Sequence, residues 1–227
     1  MARYEGKSPH SSLVHLNGNL FSAIDVETTG EVVGHHEIWQ IAIVPLDINI
    51  KPLQNVIPFE MKLKLRRPEN IDKKAIKVSR IDFASYQLQA IDADKAVDLF
   101  EDWFAELELP LSRKLVPLAQ NWPFDRGFVE EWMGPEHFKR YFHFHFRDTM
   151  STAQFLNDRA DAYSEKIPFP KVGLKDLSNF FHVTNLKAHD ALQDCVTTAA
   201  VYRGMLTMFT PVTPGCVKTF EQPETDA

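Results

Sequence analysis

Asp25 and Glu27 stand two residues apart at the end of a short apolar run, Leu20-Phe-Ser-Ala-Ile24, and Thr28-Thr29-Gly30 follows them. On a strand, period two puts both carboxylates on one face. Two like charges at the edge of a core raise each other's pKa unless something cationic neutralises them. Divalent Mg²⁺ or Mn²⁺ would do so, and hard oxygen ligands are what these ions require. Taken alone, the pair is equally a solvated strand end closed by a turn. Asp125 stands at a second strand-to-helix junction, in Asn121-Trp-Pro-Phe-Asp125-Arg-Gly-Phe128, where an isolated aspartate serves as a helix cap. Asp194 follows His189 by five residues, in His189-Asp-Ala-Leu-Gln-Asp194-Cys195. Four acids and one imidazole converge if the strand ends meet this last segment; the spacing permits that without requiring it.

The elements that would position these residues show in the periodicity. Leu20 to Ile24, Ile38 to Ile48 and Phe59 to Leu65 read as three strands with short connections, an antiparallel meander. Ala90 to Leu109 is an amphipathic helix, with Val97, Phe100, Phe104 and Leu107 at helical spacing. Lys114 to Ala119 is a fourth strand leading into Asn121, and Phe128, Val129 and Trp132 continue as a helix. Tyr141 to Phe146 alternates aromatic and histidine residues and reads as a fifth strand, its Phe face buried and its His face polar. His143 and His145 are at zinc-ligand spacing, but no third ligand is evident nearby. Helices follow over Asp148–Leu156, Gly173–Phe181 and Asp190–Met208. The polar residues 1–17 read as a flexible lead-in, residues 18–210 as one mixed α/β domain, and the proline-interrupted residues 211–227 as an extended tail.

Three of these segments carry a resemblance. Phe21-Ser-Ala-Ile-Asp25-Val-Glu27-Thr-Thr-Gly30 resembles the first motif of the DEDDh (DnaQ-like) 3′→5′ exonucleases, the family of the proofreading subunit of bacterial DNA polymerase III and of ribonuclease T. Asn121 to Phe128 is similar to the second motif. His189-Asp-Ala-Leu-Gln-Asp194 is similar to the third, whose His-x₄-Asp spacing defines the subclass. The matches run in family order over nearly the whole chain.

The resemblance implies an α/β, ribonuclease H-like fold: a mixed five-stranded sheet, three antiparallel strands first, with helices on both faces. It implies that Asp25, Glu27, Asp125 and Asp194 hold two Mg²⁺ or Mn²⁺ ions. Such a pair, about 3.5–4 Å apart, clamps the attacking and leaving oxygens of an in-line displacement at phosphorus. His189 takes a proton from the attacking water, for which an imidazole of ordinary pKa about 6.5 is suited. Asp190 shares a helix face with Asp194, but the family spacing points to Asp194, leaving Asp190 as a first-turn acid. Thr28, Asn121 and Phe124 become substrate contacts by the same resemblance, with Phe124 equally suited to the core. The implied substrate is nucleic acid with a free 3′ end, single-stranded, and the products are nucleoside 5′-monophosphates. A polymerase or repair partner is in keeping with the family.

Composition narrows the function classes. The net charge of −6 argues against a protein that coats nucleic acid through a bulk positive field, yet two divalent ions would add +4 at the acidic site. From Lys62 to Arg80 the chain carries eight basic residues against Glu69 and Asp72. Lys73, Lys74 and Lys77 are therefore candidates for phosphate contact. The family often has His-Gly-Ile-Thr where this chain has Ser79-Arg80-Ile81-Asp82, a departure in the same stretch. His35-His36 reads as a solvated part of the loop after the first motif. Cys195 and Cys216 are the only cysteines, which argues against a disulfide scaffold and for a reducing compartment. With no signal peptide and no run of eighteen apolar residues, the expected location is cytoplasmic, with no membrane. A catalytically silent nucleic-acid-binding or scaffold protein of the same fold is the competing class, and the complete acidic set argues against it. A two-carboxylate glycosidase leaves Asp194 and His189 unexplained.

Overall fold

The computed structural model describes residues 17–75, 85–86, 88–185 and 189–208. The lead-in before residue 17, the tail beyond 208, Lys77 and the 79–82 segment lie outside the described residues. In chain order the elements are β1 (Leu20–Thr28), β2 (Ile38–Pro45), β3 (Phe59–Lys62), α1 (Ala93–Glu106), β4 (Leu115–Ala119), α2 (Trp122–Met133), α3 (Pro135–Tyr141), β5 (Arg147–Asp148), α4 (Thr149–Ala162), α5 (Leu174–Phe180) and α6 (Ala191–Thr207). The five strands form one sheet in the order β3-β2-β1-β4-β5. β1 is antiparallel to β2 and β2 to β3, while β4 runs parallel to β1 and β5 parallel to β4. This is the mixed sheet of the ribonuclease H-like fold.

Strand alternation divides the core between two layers of helices. Leu20, Ile24 and Val26 of β1 pack with Ile41 and Ile43 of β2 against Phe100, Trp122, Phe128 and Phe138, from α1, α2 and α3. Phe21 and Ala23, on the other face of β1, meet Ala42, Val44, Ala191, Cys195, Ala199 and Tyr202, so α6 covers this side. β2 is buried along its whole length because it has a strand on each flank and a helical layer on each face. Asp25 and Glu27 continue the Phe21–Ala23 row, so the alternation that builds the core also aims both carboxylates at α6.

Three expectations need correction. The second strand stops at Pro45 rather than Ile48, because the Asp47 carboxylate accepts from the Asn49 and Lys51 amides and turns the chain. The fifth strand is the pair Arg147–Asp148, not Tyr141–Phe146. Tyr141 ends α3, and Phe142 inserts into the core and makes an isolated bridge to Leu115 rather than a strand. The supposed buried Phe face is absent, since Phe144 is 76% exposed and stacks on the His143 ring. His36 is buried, not solvated: its Nδ1 accepts from the Val32 amide, and its ring occupies the space beside Gly30.

Candidate metal centre

The first motif ends where β1 outruns its parallel neighbour. The β1–β4 ladder stops at the Ala23–Leu118 pair, so the amides of β1 beyond it have no strand partner on that side. Asp125, in the first turn of α2, fills the gap: its Oδ1 accepts from the Val26 amide at 3.2 Å. That bond places the second motif directly against the strand residue between Asp25 and Glu27. On the opposite flank, the β1–β2 register shifts between Glu27 and Thr28, a bulge-like irregularity of the kind often found beside active sites.

α2 itself is set by Asp148, which is 4% exposed. Asp148 Oδ2 accepts from the Trp122 amide at 2.6 Å and Oδ1 from the Ser151 amide at 2.6 Å. One carboxylate thus ties the end of β5 to the first turns of α2 and α4. Asn121, just before α2, adopts left-handed backbone with φ 68°. Phe124 is half-buried and packs on Phe128, its ring centroid 5.0 Å away, so the larger part of this side chain belongs to the core.

The third motif arrives from the α6 side. Asp194 is 8% exposed in the first turn of α6. Its Oδ1 accepts from Asn185 Nδ2 at 2.7 Å and its Oδ2 from the His189 amide at 3.1 Å. His189 has φ 69°, an uncommon conformation for a residue with a side chain and one that recurs where backbone strain serves a site. Ligand atoms of Glu27, His189 and Asp194 all lie within 4.8 Å of one another. Asp190 is engaged otherwise: it caps α6 by accepting from the Gln193 amide at 3.1 Å. Asn185 carries no periodic or motif signal in the sequence; its contact with Asp194 reveals it.

The electrostatics show how tightly the acids are gathered. Burial pushes Asp25 well above the ordinary carboxylate range, and the charges of Asp125, Glu27, Asp194 and Asp190 add to the shift. Glu27 is raised to about 8, by burial first and then by Asp194 and Asp190. Burial likewise raises Asp125, against the opposing pull of the Val26 amide, with Asp148 and Glu27 adding to the rise. Asp194 is raised by burial although the Asn185 and His189 hydrogen bonds favour its ionised form. A cluster of carboxylates that resists ionisation is short of positive charge. Its donor set of hard oxygens with one imidazole fits divalent cations, which would take the place of the retained protons.

The loop after β1 is held by the start of the basic stretch. The Asp72 amide donates to the Thr29 carbonyl at 2.8 Å, and Asn70 Nδ2 to the His35 carbonyl at 3.1 Å. Glu37 accepts from the Arg67 amide at 2.7 Å, and the Arg67 guanidinium also reaches the Gly34 carbonyl. Lys74 Nζ lies 2.9 Å from Glu31, and Arg66 pairs with Asp94. Thr28 Oγ1 donates to the Gly30 carbonyl at 2.7 Å, an internal turn bond. Lys73 is exposed at the start of this segment. Much of the basic charge from 62 to 74 is therefore matched by acids within the fold.

Residues 22–202 match the model of the exonuclease family that includes ribonuclease T. The chain belongs to the DnaQ-like exonuclease family. No curated protein sequence matches it. Among solved structures it is similar to Escherichia coli Exonuclease I in complex with a dT13 oligonucleotide, with a TM-score of 0.65 at 17% identity over 83% of this chain and 41% of that one. A zinc-bound form of the E. coli Exonuclease I–single-stranded DNA complex has a TM-score of 0.63 at 15% identity, over 82% of this chain and 40% of that one. The cell-death related nuclease CRN-4 has a TM-score of 0.61 at 16% identity, over 84% of this chain and 64% of that one. At these identities the likeness is one of fold, and the chain spans about two fifths of Exonuclease I. Among the described residues no helix is long and apolar enough to cross a membrane.

Proposed function

We propose that this exonuclease-family chain is a divalent-metal-dependent 3′→5′ exonuclease of the DEDDh type. It acts on single-stranded nucleic acid with a free 3′ end and releases nucleoside 5′-monophosphates. The observation that carries the reading is the gathering of Asp25, Glu27, Asp125, Asp194 and His189 from three distant segments around the exposed end of β1. The oligonucleotides and the zinc ion in the Exonuclease I complexes support the same substrate and cofactor class.

Asp25, Glu27, Asp125 and Asp194 would hold two Mg²⁺ or Mn²⁺ ions. When bound, such ions neutralise the scissile phosphate and the two oxygens exchanged there. His189, exposed on the solvent side of the cluster, takes a proton from the attacking water at a ring nitrogen. The water oxygen forms the new bond to phosphorus, the 3′-oxygen of the preceding nucleotide leaves, and the released nucleotide keeps its 5′-phosphate. Asn121, Thr28 and the exposed part of Phe124 border the place of the terminal nucleotide, and Lys73, Lys74 and Lys77 contact phosphates upstream. Residues 18–210 make up the catalytic unit.

Digestion of 5′-labelled and 3′-labelled single-stranded DNA and RNA in Mg²⁺, Mn²⁺ or EDTA tests this. A 5′ label is expected to give a ladder that shortens from the 3′ end, and a 3′ label is expected to give mononucleotide at once. Asp25→Asn abolishes turnover and His189→Ala lowers it about 10²–10⁴-fold. Activity that survives EDTA or Asp25→Asn would overturn the metal assignment, and release from the 5′ end would overturn the polarity.

A further inference from the structure

We infer that Asn185 is a positioning residue for the metal site, holding the Asp194 carboxylate in one orientation; the inference rests on the metal-dependent reading above. Asn185 lies in the connection between α5 and α6, nine residues before Asp194 and four before His189. Its Nδ2 donates to Asp194 Oδ1 at 2.7 Å while the His189 amide donates to Oδ2 at 3.1 Å. The two donors hold opposite oxygens from different points of the chain. Rotation about the terminal torsion of aspartate, which is otherwise broad, is therefore arrested. An ionised carboxylate has about four acceptor positions, so each oxygen keeps capacity for a ligand on the side where Glu27 and the His189 ring stand.

Among the described residues, Asn185 is the side chain that donates to Asp194. Packing of Ala191 and Cys195 against the sheet fixes the backbone of α6 but not the carboxylate. Asp190, the N-cap of α6, is engaged with the Gln193 amide. The orientation of the amide follows from chemistry, since turning it over would set its carbonyl oxygen against a carboxylate oxygen. Its own Oδ1 is buried and has no partner among the described residues. A side chain that only filled space here would be better apolar, so the donor end is what the position uses.

The test is titration of the metal-free protein with Mn²⁺, followed by calorimetry or by the electron paramagnetic resonance of free Mn²⁺. Thermal denaturation in EDTA is run alongside. Asn185→Leu keeps the branched shape and removes the donor. It is expected to weaken Mn²⁺ binding about 10–100-fold, the usual effect of losing a hydrogen bond to a metal ligand. A merely structural role would instead lower Tm in EDTA and leave Mn²⁺ affinity of the folded protein unchanged; that result overturns the inference. Wild-type protein that binds no Mn²⁺ would overturn the metal reading itself, which separates the two failures. If Asn185→Leu does not fold, the side-chain amide of wild-type Asn185 is followed by NMR. Amide protons held on Asp194 exchange slowly and shift on Mg²⁺ addition, and exchange at the rate of a free amide overturns the inference.

Discussion

Replacing Glu27 by glutamine should stabilise the metal-free protein while destroying its metal response. Glu27 is raised from 4.5 to about 8 by burial and by Asp194 and Asp190. Its pKa is higher folded than unfolded, so its contribution is fully favourable below about 4.5 and is lost as pH rises towards 8. At pH 7 the folded state retains a proton that the unfolded chain has released. At 1.36 kcal/mol for each pH unit above 4.5, this costs roughly 3 kcal/mol, a ceiling because the end of β1 around Glu27 can relax. Glutamine has no proton to retain, so Glu27→Gln in EDTA at pH 7 should gain roughly 1–3 kcal/mol, or about 3–10 °C in Tm for a chain of this size. Saturating Mn²⁺ reverses the order. Wild type gains about 2.7 kcal/mol at a hundred times Kd, whereas the variant, lacking one of the carboxylates that meet at the cluster, gains much less. Thermal scans of both proteins from pH 4.5 to 8.5, with EDTA and with Mn²⁺, read every part of this. A variant less stable than wild type in EDTA at pH 7, or one that keeps the full Mn²⁺ shift, would refute the reasoning.

Other perturbations probe the supports of the site. A Cβ at Gly30 would lie 2.4 Å from the buried His36 ring, so Gly30→Ala should cost about 1–3 kcal/mol in urea denaturation. Adding His36→Ala should restore part of that loss, and failure to do so would show that the clash is not the cause. Asp148→Ala leaves the Trp122 and Ser151 amides without their acceptor in a nearly dry place and should cost about 2–4 kcal/mol by the same measurement. An effect below about 1 kcal/mol would mean that water replaces the carboxylate. Lys73, Lys74 and Lys77 changed together to alanine should flatten the dependence of single-stranded DNA binding on log salt, by about 0.7 for each phosphate no longer neutralised. Three phosphates no longer neutralised make a drop near ~2.1 the expected value. An unchanged slope removes the basic segment from the interface.

Periodicity and local chemistry alone make most of the framework legible. The antiparallel start and the helices around Phe100, Phe128 and Asp194 follow from patterns that each span only a few residues, whereas the mixed five-stranded sheet is what the family resemblance implies. The three motifs are readable by resemblance and partly by local geometry: Asp25 and Glu27 share a face of a strand, whereas His189 stands before the cap of α6 and meets Asp194 through its amide. Tyr141–Phe146 misleads because its alternation is real, but only Phe142 is inserted by the end of α3, while Phe144 is left in solvent. His36 misleads because a loop histidine is ordinarily wet, and nothing local shows that Gly30 makes room for its ring.

Local sequence shows which residues are able to do chemistry and which way each leaves its own element. Only the tertiary structure decided that β1 outruns β4 so that Asp125 meets the Val26 amide, that Asp148 joins two helix starts, and that Asn185 reaches Asp194. The same holds for the basic stretch, whose charges are apparent in the sequence while their partners Glu31, Glu37 and Asp94 are not. The physical reason is range. Hydrophobic period and capping act between residues a few positions apart, whereas desolvation and the mutual repulsion of buried carboxylates arise only when segments about a hundred residues apart are brought together by packing.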